Sequence, residues 1–405
     1  MTYYDLLETR TEDARADAIA QGLPVQIANA QKLQGYKGRF DGVEPGSIKS
    51  VADLAKLPVL RKSDLMAAQS GDRPFGGLTT RSLSGFSHVF QSPGPIYEPS
   101  STDHDWWRMG RFVNAVGIGA DDIVQNCFGY HLTPAGAIFE SGARAVGATV
   151  LPAGTGQTEL QVTAARDIGT TAYAGTPDYL KVILDKAQDM GVALSITKAA
   201  VSGGALFPSL RAEYADRGIL CLQCYATADL GNIAYESAAM EGMIIDEHII
   251  VEIVTPGTGD PVPEGEVGEV LVTTLNPDYP LIRFATGDLS AVLPGQSPCG
   301  RTNKRIKGWM GRADQTAKIK GMFVRPEQVA SFVAHHEEVV KARVIVTRSG
   351  EQDLMTVKVE ATSGDSAAYA NTVASTLKLK ASIEIVPPGS LPKDGLVIED
   401  QRTYD

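Results

Sequence analysis

Two aspartates end short Gly-, Thr- and Ala-rich segments of this chain, Asp229 in Tyr225-Ala-Thr-Ala-Asp229 and Asp288 in Thr286-Gly-Asp288. A carboxylate in such a turn can accept hydrogen bonds from hydroxyls or hold a cation. A glycine-bounded basic stretch follows, Gly311-Arg-Ala-Asp-Gln-Thr-Ala-Lys-Ile-Lys-Gly321, and the closing tail reads Leu391-Pro-Lys-Asp-Gly-Leu-Val-Ile-Glu-Asp-Gln-Arg402. Cys221-Leu-Gln-Cys224 has the spacing of a metal half-site, but on a strand, side chains three apart point to opposite faces. Both are read as core cysteines, and no zinc is expected. Hydrolysis finds no support, because neither a Ser-His-Asp spacing nor a Gly-x-Ser-x-Gly elbow is present.

These residues need a scaffold, and the periodicity supplies one. Residues 12–29 read as helix, with Gly22 and Pro24 expected to break it. Short helices at 51–58 and 60–65 are separated by a proline stop. From about residue 110, strands (122–128, 148–151, 171–174, 199–202, 220–225) alternate with helices (135–146, 159–167, 177–190), the pattern of parallel βαβ units. Beyond Gly231, strands at 249–254, 268–274 and 281–284 separated by Gly/Pro turns suit a small antiparallel β subdomain. A last α+β unit has helices at 326–335 and 366–378 and strands at 342–347, 355–360 and 382–386. The fold class is therefore α/β: a large N-terminal body of βαβ sheets plus a β subdomain (1–313) and a small α+β C-terminal domain (314–405).

Composition excludes several functions. The 405 residues carry 37 Lys and Arg against 48 Asp and Glu, a net charge of −11, which argues against a sequence-blind grip on nucleic acid. No apolar run approaches the roughly 18–20 residues needed to span a bilayer. The acidic start is unlike a secretory signal, and four cysteines are too few for a disulfide scaffold. A cytoplasmic protein is expected.

Several ordered segments resemble the phenylacetate-CoA ligase family of AMP-forming acyl-CoA synthetases. They are Gly147-Ala-Thr-Val-Leu-Pro-Ala-Gly-Thr-Gly156, Thr176-Pro-Asp-Tyr179, Tyr225–Asp229, Gly242-Met-Ile-Ile-Asp-Glu-His248, the run 265–275, Pro280–Asp288, Cys299-Gly-Arg-Thr302 and Gly311-Arg-Ala-Asp314 with 318–327. The resemblance implies an adenylate-forming enzyme fold in which a carboxylate attacks the α-phosphate of ATP and CoA then displaces AMP, with the C-terminal domain rotating between the half-reactions. The implied cofactors are ATP/AMP, Mg2+ and coenzyme A. The implied partners are a small carboxylic acid of aromatic type and CoA, with a homodimer left open, and neither nucleic acid nor membrane.

Carried over residue by residue, Asp288 resembles the ribose-binding carboxylate, Arg312 the arginine facing ribose and phosphate, and Asp314 the hinge. Tyr225 and the Gly203-Gly204-Ala205 backbone resemble the adenine-binding edge. Asp229 stands where the family has a Mg2+-contacting glutamate. Tyr130 and His131 of Phe128-Gly-Tyr-His131 resemble the aryl pocket lining. Arg283 and Arg312 are the local cations expected to meet anionic ligands.

Three departures bear on activity. The family's Ser/Thr/Gly-rich phosphate loop ending in Gly-Lys is replaced by Phe90-Gln-Ser-Pro-Gly-Pro-Ile-Tyr-Glu-Pro99, in which prolines donate no N–H and Glu98 adds negative charge. The tail places Leu396 where the catalytic lysine belongs, with Lys393 three residues earlier as a substitute. At the places of a zinc-like cluster of relatives stand Ser237, Ile244, Ser297 and Cys299. Three functions follow: an AMP-forming acyl- or aryl-CoA ligase, a non-ligase descendant that binds AMP, CoA or an acyl ligand, or an acyl or CoA transferase that works without ATP.

Overall fold

Apolar residues at helical spacing build a single helix over Glu12–Gln31, capped by the Thr11 hydroxyl accepting from the Ala14 amide at 3.2 Å. The break expected at Gly22 and Pro24 does not occur. Leu23, Ile27 and Ala30 are fully buried, and that packing outweighs the amide donor lost at one proline. This computed structural model describes residues 3–69, 74–92, 94–310, 313, 317–320, 322–324, 326–350, 352–392 and 396–402. The chain divides into two compact units, Met1–Met310 and Gly311–Asp405.

In the first unit, strands Thr149–Leu151, Ile123–Asn126, Ala172–Gly175, Lys198–Val201 and Leu220–Thr227 lie side by side in parallel. Helices Ala135–Ala145, Thr158–Ile168, Pro177–Asp189 and Pro208–Asp216 connect them. The sheet then changes direction: Gly231–Tyr235, Met243–Ile245, Arg305–Ile306 and Val292–Leu293 continue it antiparallel. Its two faces bury different clusters, Met109, Phe112, Phe128, Phe139 and Leu222 in one, Tyr173, Leu180, Leu210 and Tyr214 in the other. Cys224 belongs to the first and Cys221 to the second, as side chains three apart on a strand must.

The β subdomain pairs Ile249–Val254, Gly268–Thr274 and Phe284–Ser290 antiparallel, with Leu60–Arg61 added in parallel to the last. The strand expected at 281–284 instead begins at Phe284. Arg283 sits at φ 46, outside the extended region. The amides of Ile282 and Arg283 donate to the hydroxyls of Tyr36 and Thr273, both at 2.9 Å, rather than to a ladder. A further hairpin, unforeseen, joins His88–Ser92 to Ile96–Ser100.

The second unit packs helices Pro326–Ala334 and Ser366–Leu377 on a sheet ordered Ser382–Val386, Gln352–Ala361, Val339–Ser349 and Ile398–Asp400. Phe332, Val344, Val357, Tyr369 and Val373 form its core. The strand Ile398–Asp400, too short to read from sequence, pairs parallel to Val339–Ser349.

The body also buries charge in matched pairs. Arg301 and Glu8 have side chains 2% and 0% exposed, and the Tyr235 hydroxyl also donates to Glu8 at 2.7 Å. Arg111 meets the fully buried Asp246 at 3.1 Å. Removing one partner of such a pair strands the other, whereas exposed pairs are screened. Arg301→Met is therefore expected to lower the stability of the first unit by about 3–5 kcal/mol. Lys304→Ala, which opens the exposed pair with Glu264, should change it by less than about 1 kcal/mol. Urea denaturation of the full chain checks both.

Candidate active site

The strand Leu220–Thr227 ends in a tight turn that carries Asp229 before the chain returns as Gly231–Tyr235. Near its end, the buried Tyr225 donates its hydroxyl to Asp288 Oδ2 at 2.7 Å. The indole of Trp309 donates to Asp288 Oδ1 at 2.9 Å, and the Thr286 hydroxyl accepts from the Asp288 amide at 3.1 Å. Both carboxylate oxygens are thus oriented by side chains from separate elements.

Behind the strand Lys198–Val201, Gly203 and Gly204 are exposed, and Gly203 adopts φ 74, which a side chain would oppose. A Cβ on Gly203 would lie 3.7 Å from Phe128 and Thr176, so this backbone lies beside the Phe128 segment. The half-buried Tyr130 accepts from the Asn126 side chain at 2.8 Å. A Cβ at Gly136 would come within 2.8 Å of its ring, which fixes why glycine stands there. Burial, then the nearby Glu140 charge, push the Tyr130 phenol up. His131 is exposed on the same loop.

Asp229 is met by a residue that sequence reasoning missed. Lys62, first in the helix Lys62–Ala68, donates from Nζ to Asp229 Oδ2 at 2.8 Å, with side-chain exposures of 37% and 1%. The hairpin 88–100, in place of the phosphate loop, brings Glu98 to the same neighbourhood. Glu98 is buried and takes a hydrogen bond from the Ser92 hydroxyl across the hairpin. Glu98 Oε2, Asp229 Oδ1 and the Tyr279 hydroxyl are enclosed without a hydrogen-bond partner among the described residues. Burial first, and then the Asp229 charge, push the Glu98 carboxyl up to about 8, against the lowering effect of Ser92 and Lys62.

One expectation fails here. Arg283 is not available to an anionic ligand: it is 2% exposed, pairs with Glu252 at 3.0 Å and donates to the carbonyls of Leu57 and Gly259. Cys299, read as a buried thiol, is buried and receives the Ser297 hydroxyl at 3.1 Å and Arg301 Nη1 at 3.7 Å. Burial raises this thiol, yet the Ser237, Ser297 and Arg301 donors outweigh it and hold the group below its ordinary value. Arg312, Asp314 and Lys393 lie outside the described residues.

Over 349 residues the chain is 32% identical to the phenylacetate-coenzyme A ligase of Aromatoleum evansii, covering 82% of this chain and 78% of that protein. The chain belongs to the phenylacetate-coenzyme A ligase family. The phenylacetate-coenzyme A ligase of Escherichia coli K12 is 30% identical over 383 residues, 89% of this chain and 85% of that one. No protein-family model matches. Among solved structures, 2-hydroxyisobutyryl-CoA ligase, in complex with 2-HIB-AMP and CoA in the thioesterification state, superposes with a TM-score of 0.82 at 23% identity, covering 98% of this chain and 92% of that one. The fold is that of the adenylate-forming CoA ligases. No helix among the described residues is long and apolar enough to cross a membrane.

Lys62 and Trp309 escaped sequence reasoning because their partners are remote: Lys62 and Asp229 are 167 residues apart, Trp309 and Asp288 21. The Glu98 environment makes a pH prediction. Its proton is held more tightly folded than unfolded, so the folded state binds more protons between about 4.5 and 8 and loses stability as pH rises through that window. The slope from this group is at most about 1.4 kcal/mol per pH unit. Urea denaturation across pH 5–8.5 should show that loss in the parent chain and not in Glu98→Gln; parallel curves would contradict the assignment.

Proposed function

We propose that this protein is an acid–CoA ligase that activates a small, aromatic carboxylic acid as its acyl-adenylate and passes the acyl group to CoA in the cytoplasm. The observation that carries this reading is Asp288, held through both oxygens by Tyr225 and Trp309 beside the turn of Asp229, in a chain whose curated relatives are phenylacetate-coenzyme A ligases. A carboxylate so fixed loses little freedom on accepting a ribose hydroxyl, which favours binding through preorganisation. In this reading Asp288 takes the ribose, and the backbone of Gly203, Gly204 and Ala205 edges the adenine beside Tyr225. Tyr130 and His131 face the acid. Arg312 stabilises phosphate charge, Asp314 is the hinge of a mobile C-terminal domain, and Lys393 supplies the cation that Leu396 cannot.

ATP/AMP and CoA enter this reading. Mg2+ does not enter it through Asp229, because the donor set there fits a bridging metal poorly: Lys62 occupies Oδ2 and Oδ1 is enclosed. A second reading, a descendant that binds AMP, CoA or an acyl ligand without activating acids, is favoured by one observation. The hairpin in place of the phosphate loop buries Glu98 beside Asp229, and a buried acid offers nothing to a triphosphate.

ATP–pyrophosphate exchange with phenylacetate and a panel of aryl and short acyl acids separates the two. The ligase reading expects acid-dependent exchange that Asp288→Ala lowers by about 100-fold, the scale of a lost positioning contact in the transition state. Exchange absent for every acid, alongside measurable AMP or CoA binding, would leave the second reading standing.

A further inference from the structure

We infer that Lys62 supplies, at Asp229, the positive charge that a divalent cation would otherwise bring to a nucleotide's phosphates, so that this cleft binds them without a metal ion. The inference rests on the reading of the cleft as a nucleotide site. It concerns a residue that no motif assigns.

A protein-bound Mg2+ in phosphoryl chemistry is held by one or two carboxylates and completes its shell with waters and substrate phosphates. Such a bridge requires a carboxylate oxygen open toward the ligand. Asp229 has none of that kind. Its side chain is 1% exposed, Oδ1 is enclosed, and Oδ2 accepts from the Lys62 ammonium at 2.8 Å. Lys62 is the more exposed partner, at 37%, so a ligand reaching the pair from the surface meets the Lys62 side chain before the carboxylate. A dication approaching Asp229 would meet a like charge first.

The surrounding charges point the same way. Arg283 is buried against Glu252, and Arg61 is drawn to Glu269 at 3.3 Å. The hairpin contributes the acid Glu98 where the family's loop would contribute amides and a lysine. An ammonium is a compact point charge well suited to phosphate. Placed at the first position of the helix Lys62–Ala68 and tethered by Asp229, its head is confined to one place, which a flexible surface lysine is not.

The test uses the full chain and two probes, the non-hydrolysable nucleotide α,β-methylene-ATP and Mn2+ alone. The parent chain is expected to bind the nucleotide with an affinity unchanged within about threefold between millimolar Mg2+ and EDTA. Lys62→Met should weaken binding in EDTA by about tenfold or more, the worth of a charge-assisted hydrogen bond. With the ammonium gone, Asp229 opens to a metal. Lys62→Met should then bind Mn2+, seen by electron paramagnetic resonance, where the parent and the Lys62→Met, Asp229→Asn double variant do not.

Two results would overturn the inference: nucleotide affinity of the parent falling about tenfold in EDTA, or Mn2+ binding by the parent that Asp229→Asn removes. If the nucleotide binds under neither condition, the ligase reading fails, and the Mn2+ comparison still decides the role of Lys62. Should Lys62→Met fail to fold, Lys62→Gln carries the same comparison, and the two parent measurements stand without either variant.

Discussion

The strand Leu220–Thr227 is bonded in parallel along one edge, to Lys198–Val201, and antiparallel along the other, to Gly231–Tyr235. That double ladder is the constraint on which the site depends. A parallel neighbour requires a crossover, here the helix Pro208–Asp216, while an antiparallel neighbour needs only a turn. The Gly203 loop precedes the crossover and the Asp229 turn follows the strand, so both emerge at the strand's carboxyl-terminal end. A change of strand direction is where open sheets leave a crevice for ligands. Tyr225, near the end of this strand, then reaches Asp288 of the separate β subdomain and couples the two sheets through one hydrogen bond.

Charge is the second organising principle. A protein with a net charge of −11 that binds anionic ligands must keep particular cations apart from its own carboxylates. Three arginines of the body do not satisfy this. Arg283, Arg301 and Arg111 are sealed in the interior against Glu252, Glu8 and Asp246, where they hold loops and the amino-terminal segment to the body. Glu98 follows the same logic: its burial first, and the Asp229 charge second, push its carboxyl up despite Lys62.

Much of the architecture was legible in the residues. The alternation from 122 to 225 yielded each parallel strand within a few positions, because a sheet buried on both faces leaves uninterrupted apolar runs bounded by turns. The carboxylates were legible too, since Asp229 and Asp288 sit in short motifs. What escaped reading was non-local. The hairpin 88–100 was obscured by its prolines, which forbid a central strand but are tolerated in a two-stranded pair; Pro99 lies within that pairing, opposite Val89. The shift of the 281–284 strand followed from one left-handed residue, Arg283, whose backbone is dictated by contacts more than 20 residues away. Trp309 had no motif at all, only a position that the fold carries to Asp288.

The four cysteines, all free and buried, have a consequence outside catalysis. Each lies before residue 300, so the second unit contains no sulfhydryl. Cys221 and Cys224 face opposite sides of one sheet, and Cys299 sits under the amino-terminal segment near Tyr3. The native body therefore shields its sulfurs in two core clusters, Cys224 and Cys299 in one and Cys127 and Cys221 in the other, and the order in which thiol reagents reach them reports which cluster loosens first, against a second unit that stays silent to such reagents.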